Sequence, residues 1–320
     1  MSKNSPVLSS DRELVMGVWD RYWFSAAPVA PVSMVRGLLA VIALLYFVSA
    51  WPDAIFWYGK GGVLSATHVS EFLRTGGLEG AGSWIISPLF LTETAWVYQL
   101  YLLLGMAMAI LVFCGRGGRW ASFLLWFLFV GWANRTMLLS GLSETLLSLG
   151  LFAAAISPAG HAWSVISPSR KTGLGTEDEQ SDEHWTAGFS ERLLAAQITL
   201  IGVATWVAML GGRVWFNGLG AYALAAPVED RTIDWTSRNS LLVQASVHEF
   251  LTHMMIIALP LGLFLSWFPK YSPVGKLMLI GWCVAVAILG SHWLYALTFA
   301  VLCLSIRPLG QVRKDEVVSG

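Results

Sequence analysis

The chain has 320 residues, of which 56% are hydrophobic and 12% charged, and its 20 Lys and Arg balance its 20 Asp and Glu. Soluble domains carry about 25% charged residues, so this composition, with 17 tryptophans and a mean hydropathy of +0.62, excludes an ordinary soluble protein and predicts an integral membrane protein. The zero net charge gives no reason to expect a nucleic-acid partner, and the three cysteines lack the CxxC spacing of a zinc site or redox pair.

The N-terminal segment, residues 1–31, has no apolar stretch of the kind found in a secretory signal. Its sequence "SSDRELVMGVWDRYWF" starts with helix-capping residues and mixes apolar with charged positions, which predicts a partly amphipathic helix lying on the membrane surface. We therefore expect a cytoplasmic or interfacial segment before the first span.

Eight apolar runs approach the roughly 20 residues that a membrane-spanning helix needs. They cover residues 32–51, 95–114, 119–134, 137–157, 189–210, 249–268, 274–290 and 292–307. The predicted fold class is all-α: a polytopic integral membrane helical bundle of about eight transmembrane helices plus the N-terminal interfacial helix. Only "ANRT" separates the third run from the fourth, which predicts a tight helical hairpin. The count changes by one or two if this pair or the last pair is a single broken helix.

Lys and Arg in the connections predict the orientation of the bundle. With the N-terminus inside, 13 of them fall in inner segments and 6 in outer ones. Both termini are therefore predicted to be cytoplasmic, in a cell membrane that we take to be a bacterial inner membrane. The transmembrane domain is predicted to span 32–307, interrupted at about 167–188 by a charged linker that we expect to be disordered, and 308–320 forms a C-terminal tail.

Glu144 lies well inside the fourth apolar run. A charge at the centre of a membrane costs about 2.5–3.5 kcal/mol on insertion scales, and such residues usually face a bundle interior or a cavity. A helix through this run would place Ser140, Glu144 and Ser148 on one stripe. Two interpretations stay open: a protonated glutamate bonded to a neighbouring helix, or a functional residue that is either a proton donor or acceptor or a contact to a lipid head group.

The stretch "VHEFLTHMM" (247–255) resembles a zincin HExxH motif but has one residue too many. His248 and His253 are five apart, which separates them by about 140° around a helix, so they cannot share a metal in the zincin manner, and no metal site is predicted. Glu249 and His253 are four apart and share a face. They are candidates for an ion pair, a proton relay or part of a larger site, and the alternative is a plain pairing at the membrane edge.

Four stretches taken in order resemble the horizontally transferred transmembrane (HTTM) domain of the vitamin K-dependent gamma-carboxylase-like family. They are "APVSMVRGLLAVIALLY" (30–46), "FWYGKGGVLS" (56–65), "NRTMLLSGLSETLLSLGLFAAAISPAGHAWSV" (134–165) and "WFNGLGAYAL" (215–224). The resemblance covers about residues 15–308 and implies a membrane domain that holds a hydrophobic cofactor among its helices.

The same resemblance argues against the family's best-known activity. In the carboxylases a lysine shortly before the Trp-x-x-Gly segment deprotonates reduced vitamin K, and Ala208 and Met209 stand at the corresponding positions here. The histidine associated with the polar-faced helix would fall near Ser143 and Glu144, and it is also missing. The chain ends soon after the last predicted span, so we further expect it to lack the large lumenal region in which carboxylases hold the propeptide.

The sequence therefore predicts a membrane protein that binds a quinone or another lipid among its helices and is not a glutamyl carboxylase. Glu144, Ser140, Glu249 and His253 are the candidate catalytic residues, while cofactor-binding residues and protein partners stay unassigned and membrane lipids are the expected surroundings. Whether the protein is an enzyme stays open. The alternative is a non-catalytic scaffold for partners or lipids. A transporter is a weaker alternative, because no internal repeat is visible.

Overall fold

The computed structural model describes residues 18–75, 87–157, 183–226, 235 and 241–308. Most of these residues are helical, and the strands among them, β1 (Ala27–Pro28) and β2 (Glu183–His184), form one short antiparallel pair. The helices are α1 (Val18–Phe24), α2 (Val29–Ala50), α3 (Ala54–Tyr58), α4 (Ala66–Thr75), α5 (Ala95–Phe113), α6 (Gly118–Arg135), α7 (Leu142–Ile156), α8 (Trp185–Gly211), α9 (Arg213–Phe216), α10 (Gly220–Ala225), α11 (Ala245–Ser266), α12 (Ser272–Gly290) and α13 (Trp293–Cys303). Short 3₁₀ turns occupy Pro88–Leu91 and Leu241–Val243. The all-α class is confirmed for the described residues.

Five of the helices, α2, α5, α8, α11 and α12, are long and apolar enough to cross a membrane by length and composition. The other three predicted spans are also helices, but α7 and α13 are shorter, with 15 and 11 residues, and α6 contributes 18 residues. The structure thus supports a membrane bundle with five candidate spans. The total of eight remains a prediction.

Helix α2 lies at the centre of the bundle, where it packs against α5, α7 and α13. Just over half of its most apolar window, 56%, is buried within the protein, compared with 28–39% for the other four long helices. Phe47 of α2 is fully buried and packs against Gly105 of α5, where an added Cβ would lie 2.8 Å from the ring. A glycine is needed there because the two helices approach closely.

The surface of the long helices is apolar where it faces away from the protein. Leu100 and Leu103 on α5, Leu200 on α8, and Ile257 and Phe264 on α11 are all more than half exposed. Contiguous exposed apolar surface is unusual for a soluble monomer, and it is what lipid-facing helices require. Membrane association therefore follows from the arrangement of side chains as well as from the composition.

The bundle has two ends, which differ in their polar contacts. The Glu144 end comprises the C-termini of α2, α6, α8 and α12 together with the N-termini of α5, α7, α11 and α13. At the opposite end, Arg307 Nε lies 2.5 Å from Glu191 Oε1, and Arg192 Nη1 donates to the Ser25 carbonyl at 2.9 Å. Both contacts fasten the start of α8 to distant parts of the chain.

Several predicted segments lie outside the described residues. These are residues 1–17 of the N-terminal segment, 309–320 of the tail, and 158–182, which include most of the predicted linker. The last part of that linker, 183–188, forms β2 and the beginning of α8. The described part of the predicted interfacial helix is α1.

Candidate functional site

Glu144 lies in the first turn of α7, where it stabilises the start of the helix. Its Oε2 accepts the backbone N–H of Gly141 at 2.8 Å, which is half of a capping box. Gly141 is the residue before the helix, and its extended backbone (φ −130°, ψ −156°) ends the preceding turn. The carboxylate also benefits from the partial positive charge at a helix N-terminus.

The prediction that Ser140, Glu144 and Ser148 share one stripe of a helix is therefore wrong, because Ser140 lies before the helix begins. Residues 136–141 form a turn, because Thr136 closes α6 and the Ser140 hydroxyl donates to the carbonyls of Ala133 (3.0 Å) and Thr136 (3.1 Å). The helix begins only at residue 142, so Glu144 sits at the end of the bundle and not in the middle of a span.

Tyr46 connects Glu144 to the central helix. The phenol of this α2 residue donates to Glu144 Oε1 at 3.3 Å, across a separation of 98 residues in sequence. Glu144 is half-buried, and with Oε2 taken by Gly141 each carboxylate oxygen has one protein donor. A carboxylate offers about four acceptor positions, so Glu144 keeps acceptor capacity for a further group.

Glu144 and Leu139 line two neighbouring cavities. The larger, here called the ligand cavity, has a volume of about 550 Å³ and the smaller, here called the aromatic cavity, about 230 Å³. The ligand cavity is lined by Leu139, Gly141, Leu142, Ser143, Glu144, Thr205, Ala208, Met209, Trp215, Leu224, Trp282, Val286, His292 and Tyr295. It thus lies between α7, α8, α12 and α13, and α9 and α10 each add one residue.

The ligand cavity is mostly apolar, with a few polar groups contributed by different helices. Thr205 of α8 and Tyr295 of α13 are joined by a hydroxyl–hydroxyl hydrogen bond of 3.3 Å. His292 precedes α13 directly after Ser291, whose left-handed backbone (φ 53°) makes the sharp turn between α12 and α13. With Glu144, these groups give the cavity hydrogen-bond donors and acceptors against apolar walls, as is usual in small-molecule sites.

The aromatic cavity lies between the end of α2, α3 and the end of α6. It is lined by Tyr46, Ser49, Ala50, Asp53, Ala54, Trp57, Tyr58, Trp132, Thr136, Leu139 and Glu144. Burial raises the pKa of Tyr58 to about 12, and the nearby Arg135 guanidinium acts in the opposite direction, so the phenol stays neutral at physiological pH. Among the described residues of this lining, Asp53 and Glu144 are the charged ones.

Arg135, at the end of α6, is almost completely buried beside the aromatic cavity. It donates to the Leu64 carbonyl at 2.7 Å and to the Tyr98 hydroxyl at 3.3 Å, and its guanidinium carbon lies 4.9 Å from the Tyr58 ring centroid and 5.2 Å from that of Phe90. The sequence predicts only an arginine in an outer connection. Nothing in its local pattern predicts that aromatic rings would enclose it.

The second predicted pair, Glu249 and His253, lines neither cavity. Both residues are exposed on α11, and the imidazole Nδ1 of His253 lies 2.7 Å from the backbone carbonyl of Glu249, not from its carboxylate. Ser140 bonds to Ala133 and Thr136 and lines neither cavity, so Glu144 is the predicted site residue that lines them. Among the described residues no group of three His, Cys, Asp or Glu side chains is arranged to hold a metal ion.

Tyr46, Asp53, Thr205 and Tyr295 are among the polar lining residues that the sequence does not predict. All four lie in or beside apolar helices, where a single hydroxyl or carboxyl group is common. They are identified from the three-dimensional structure, because each lines a cavity that Glu144 also lines.

Comparisons of this chain with protein-family models, with curated proteins and with solved structures find no match.

Proposed function

We propose that this membrane protein binds a quinone, or a lipid with a similar ring-shaped polar head, in the ligand cavity. The observation that carries the proposal is the cavity itself: about 550 Å³ of mostly apolar space with Glu144, Thr205 and Tyr295 on its wall. This volume lies within the range of about 300–1,000 Å³ typical of ligand sites. The apolar walls suit a ring and its isoprenoid or acyl chain, and the polar groups suit ring oxygens.

The resemblance to the HTTM domain supports the proposal through two pairs of positions. Ala208 and Met209 correspond to the place of the carboxylase lysine, and Ser143 and Glu144 to the place of the histidine. These four residues come from helices α8 and α7, and all four line the ligand cavity. That meeting of distant segments is what a shared ancestral cofactor cavity would require.

The cavity lining also argues against glutamyl carboxylation. Among the described residues that line it there is no lysine, and the titratable side chains are Glu144, His292 and Tyr295. A base strong enough to deprotonate a hydroquinone at the position of Ala208 or Met209 is absent. We therefore propose a binding function in which Glu144 accepts a hydrogen bond from the ligand, and we leave carboxylation out.

Glu144 gives the proposal a specific chemical test, because a carboxylate accepts hydrogen bonds and a hydroquinone donates them while a quinone does not. In lipid nanodiscs, we expect isothermal titration calorimetry to show that reduced menadione, a naphthohydroquinone, binds at least tenfold more tightly than menadione, as befits one hydrogen bond to a charged group. Glu144→Gln should abolish this preference, while Glu249→Gln, which changes an exposed carboxylate outside the cavity, should retain it.

A second pair of variants tests the space without removing a polar group. Ala208 lines the cavity and Ala204, one turn earlier on α8, does not. Ala208→Leu should block binding of both forms, and Ala204→Leu should leave it unchanged. Equal binding by all four variants, or no binding by the unaltered protein, would overturn the proposal in favour of a scaffold whose polar groups serve only packing.

We also propose that the protein resides in a bacterial inner membrane with both termini in the cytoplasm. The distribution of Lys and Arg supports this orientation. It places the Glu144 end at the outer surface and the Glu191–Arg307 ion pair at the inner surface.

A further inference from the structure

The aromatic cavity has walls of an unusual composition. Four of its lining residues are aromatic: Tyr46, Trp57, Tyr58 and Trp132. Trp and Tyr rings attract cations that approach their faces, and desolvated sites strengthen the attraction. Apolar ligands would gain from such walls as well, so the charges of the cavity decide between the two.

Two carboxylates, Asp53 and Glu144, line the same small space. Asp53 precedes α3, makes no side-chain capping bond and is exposed. Glu144 is half-buried and accepts hydrogen bonds from the Tyr46 hydroxyl and the Gly141 N–H. Within the described ranges, neither carboxylate has a Lys, Arg or His nitrogen within 4 Å. The lining therefore carries two carboxylates that have no ion-pair partner among the described residues.

Aromatic rings in this region already surround one cation, Arg135. The guanidinium carbon of Arg135 lies 4.9 Å from the ring centroid of the lining residue Tyr58, and the Arg135 side chain contacts aromatic rings and neutral oxygens. The rings in this region thus accommodate a buried cation even without a carboxylate partner. The aromatic cavity offers similar rings and adds two carboxylates.

The size of the cavity limits the ligand. About 230 Å³ is below the range of roughly 300–1,000 Å³ that drug-sized ligands occupy. It leaves room for a head group of a few carbon atoms and not for a peptide or a nucleotide. Asp53 places one edge of the cavity at the surface of the protein.

We propose that the aromatic cavity binds a small organic cation of the alkylammonium class, either free or as the head group of a phospholipid. The ammonium group would lie between Asp53 and Glu144, with its alkyl groups against the rings of Tyr46, Trp57 and Trp132. Among the described lining residues, Glu144 and Leu139 are shared with the ligand cavity and the other nine are not, so substitutions at Asp53 or Trp57 test this site separately from the quinone proposal.

Choline and 3,3-dimethylbutan-1-ol test the site directly, because they have nearly the same shape and only choline carries a charge. The protein is kept in nanodiscs of phosphatidylglycerol, which contain no ammonium head groups, and both compounds are titrated by calorimetry. We expect choline to bind at least about tenfold more tightly than the neutral compound. Asp53→Asn and Trp57→Leu should each weaken choline binding about fivefold or more, and Glu71→Gln, an exposed carboxylate on α4, should not.

Two further comparisons distinguish a lipid head group from a free amine, and this proposal from the quinone proposal. Dihexanoylphosphatidylcholine binding more tightly than choline assigns a lipid head group, and binding of choline alone assigns a free amine. Ala208→Leu should retain choline binding even though it blocks the ligand cavity, and Asp53→Asn should retain hydroquinone binding. Equal affinity for choline and its neutral analogue, or unchanged choline affinity in both Asp53→Asn and Trp57→Leu, overturns the site.

Discussion

Glu144 caps the start of α7 and also lines both cavities, and different substitutions separate these two features. Its carboxylate bonds the N–H of Gly141 and so fixes the first turn of α7, and it faces both cavities. Gln retains an oxygen that can accept the Gly141 bond, but it lacks the charge. Ala removes both.

We expect Glu144→Ala to lower the free energy of unfolding by about 1 kcal/mol, the usual loss for a helix N-terminal cap. Glu144→Gln should lose clearly less, because the amide oxygen still accepts from Gly141. Thermal unfolding in maltoside micelles, with Glu249→Gln as the exposed control, measures both. Equal destabilisation by Ala and Gln would mean that the charge, and not the capping bond, holds the start of α7.

The position of Glu144 could be recognised from the sequence, but its surroundings could not. A carboxylate within an apolar run can be recognised from the sequence, and here it is the residue that lines both cavities. Its partner Tyr46 lies 98 residues away in sequence and is the single tyrosine of a mostly apolar helix. The aromatic enclosure of Arg135 is hidden for the same reason, since its contacts come from three separate segments.

At the scale of elements, hydropathy finds helices well and their ends poorly. The predicted runs 32–51 and 95–114 differ from α2 and α5 by at most three residues. The predicted span 137–157 fails at its start because leucines continue through the turn at 136–141, so that apolar content does not mark the break. Backbone bonding by Ser140 and Gly141 decides the boundary.

The crossing of α2 and α5 provides the prediction at this scale. An added methyl group at Gly105 would meet the ring of Phe47 at 2.8 Å, whereas one at Gly281 of α12 would meet nothing within 4 Å. We expect Gly105→Ala to destabilise the protein by about 1–3 kcal/mol through overpacking, and Gly281→Ala to be neutral or slightly stabilising.

The two variants are compared by thermal unfolding in the same detergent. Each exchanges a helical glycine for alanine, so a difference between them reports the helix contact and not helix propensity. A Gly105→Ala protein as stable as the Gly281→Ala protein would show that α2 and α5 do not pack as closely as described.

At the scale of the whole molecule, the bundle combines an apolar exterior with two polar ends. Exposed leucines and aromatic residues cover the long helices, and charged groups concentrate at the Glu144 end and at the Glu191–Arg307 end. Composition alone predicts this membrane character. The direction of the bundle in the membrane follows only from the charge distribution and requires its own test.

We expect cysteine labelling to place the Glu144 end outside the cell. In a background with Cys114, Cys283 and Cys303 replaced by alanine, Lys60→Cys should react with a membrane-impermeant maleimide in intact cells. Lys270→Cys, exposed near the opposite end, should react only after the membrane is permeabilised. Labelling in the reverse order would invert the predicted topology.

The single wall shared by the two cavities has a thermodynamic consequence. A cation placed against Glu144 from the aromatic cavity would reduce the strength with which its carboxylate accepts a hydrogen bond from a ligand on the other side. Such coupling is reciprocal, so bound hydroquinone would lower the affinity for the cation by the same factor. The carboxylate that caps α7 would then make the two occupants antagonists, and the amount of one ligand in the membrane would set the affinity for the other.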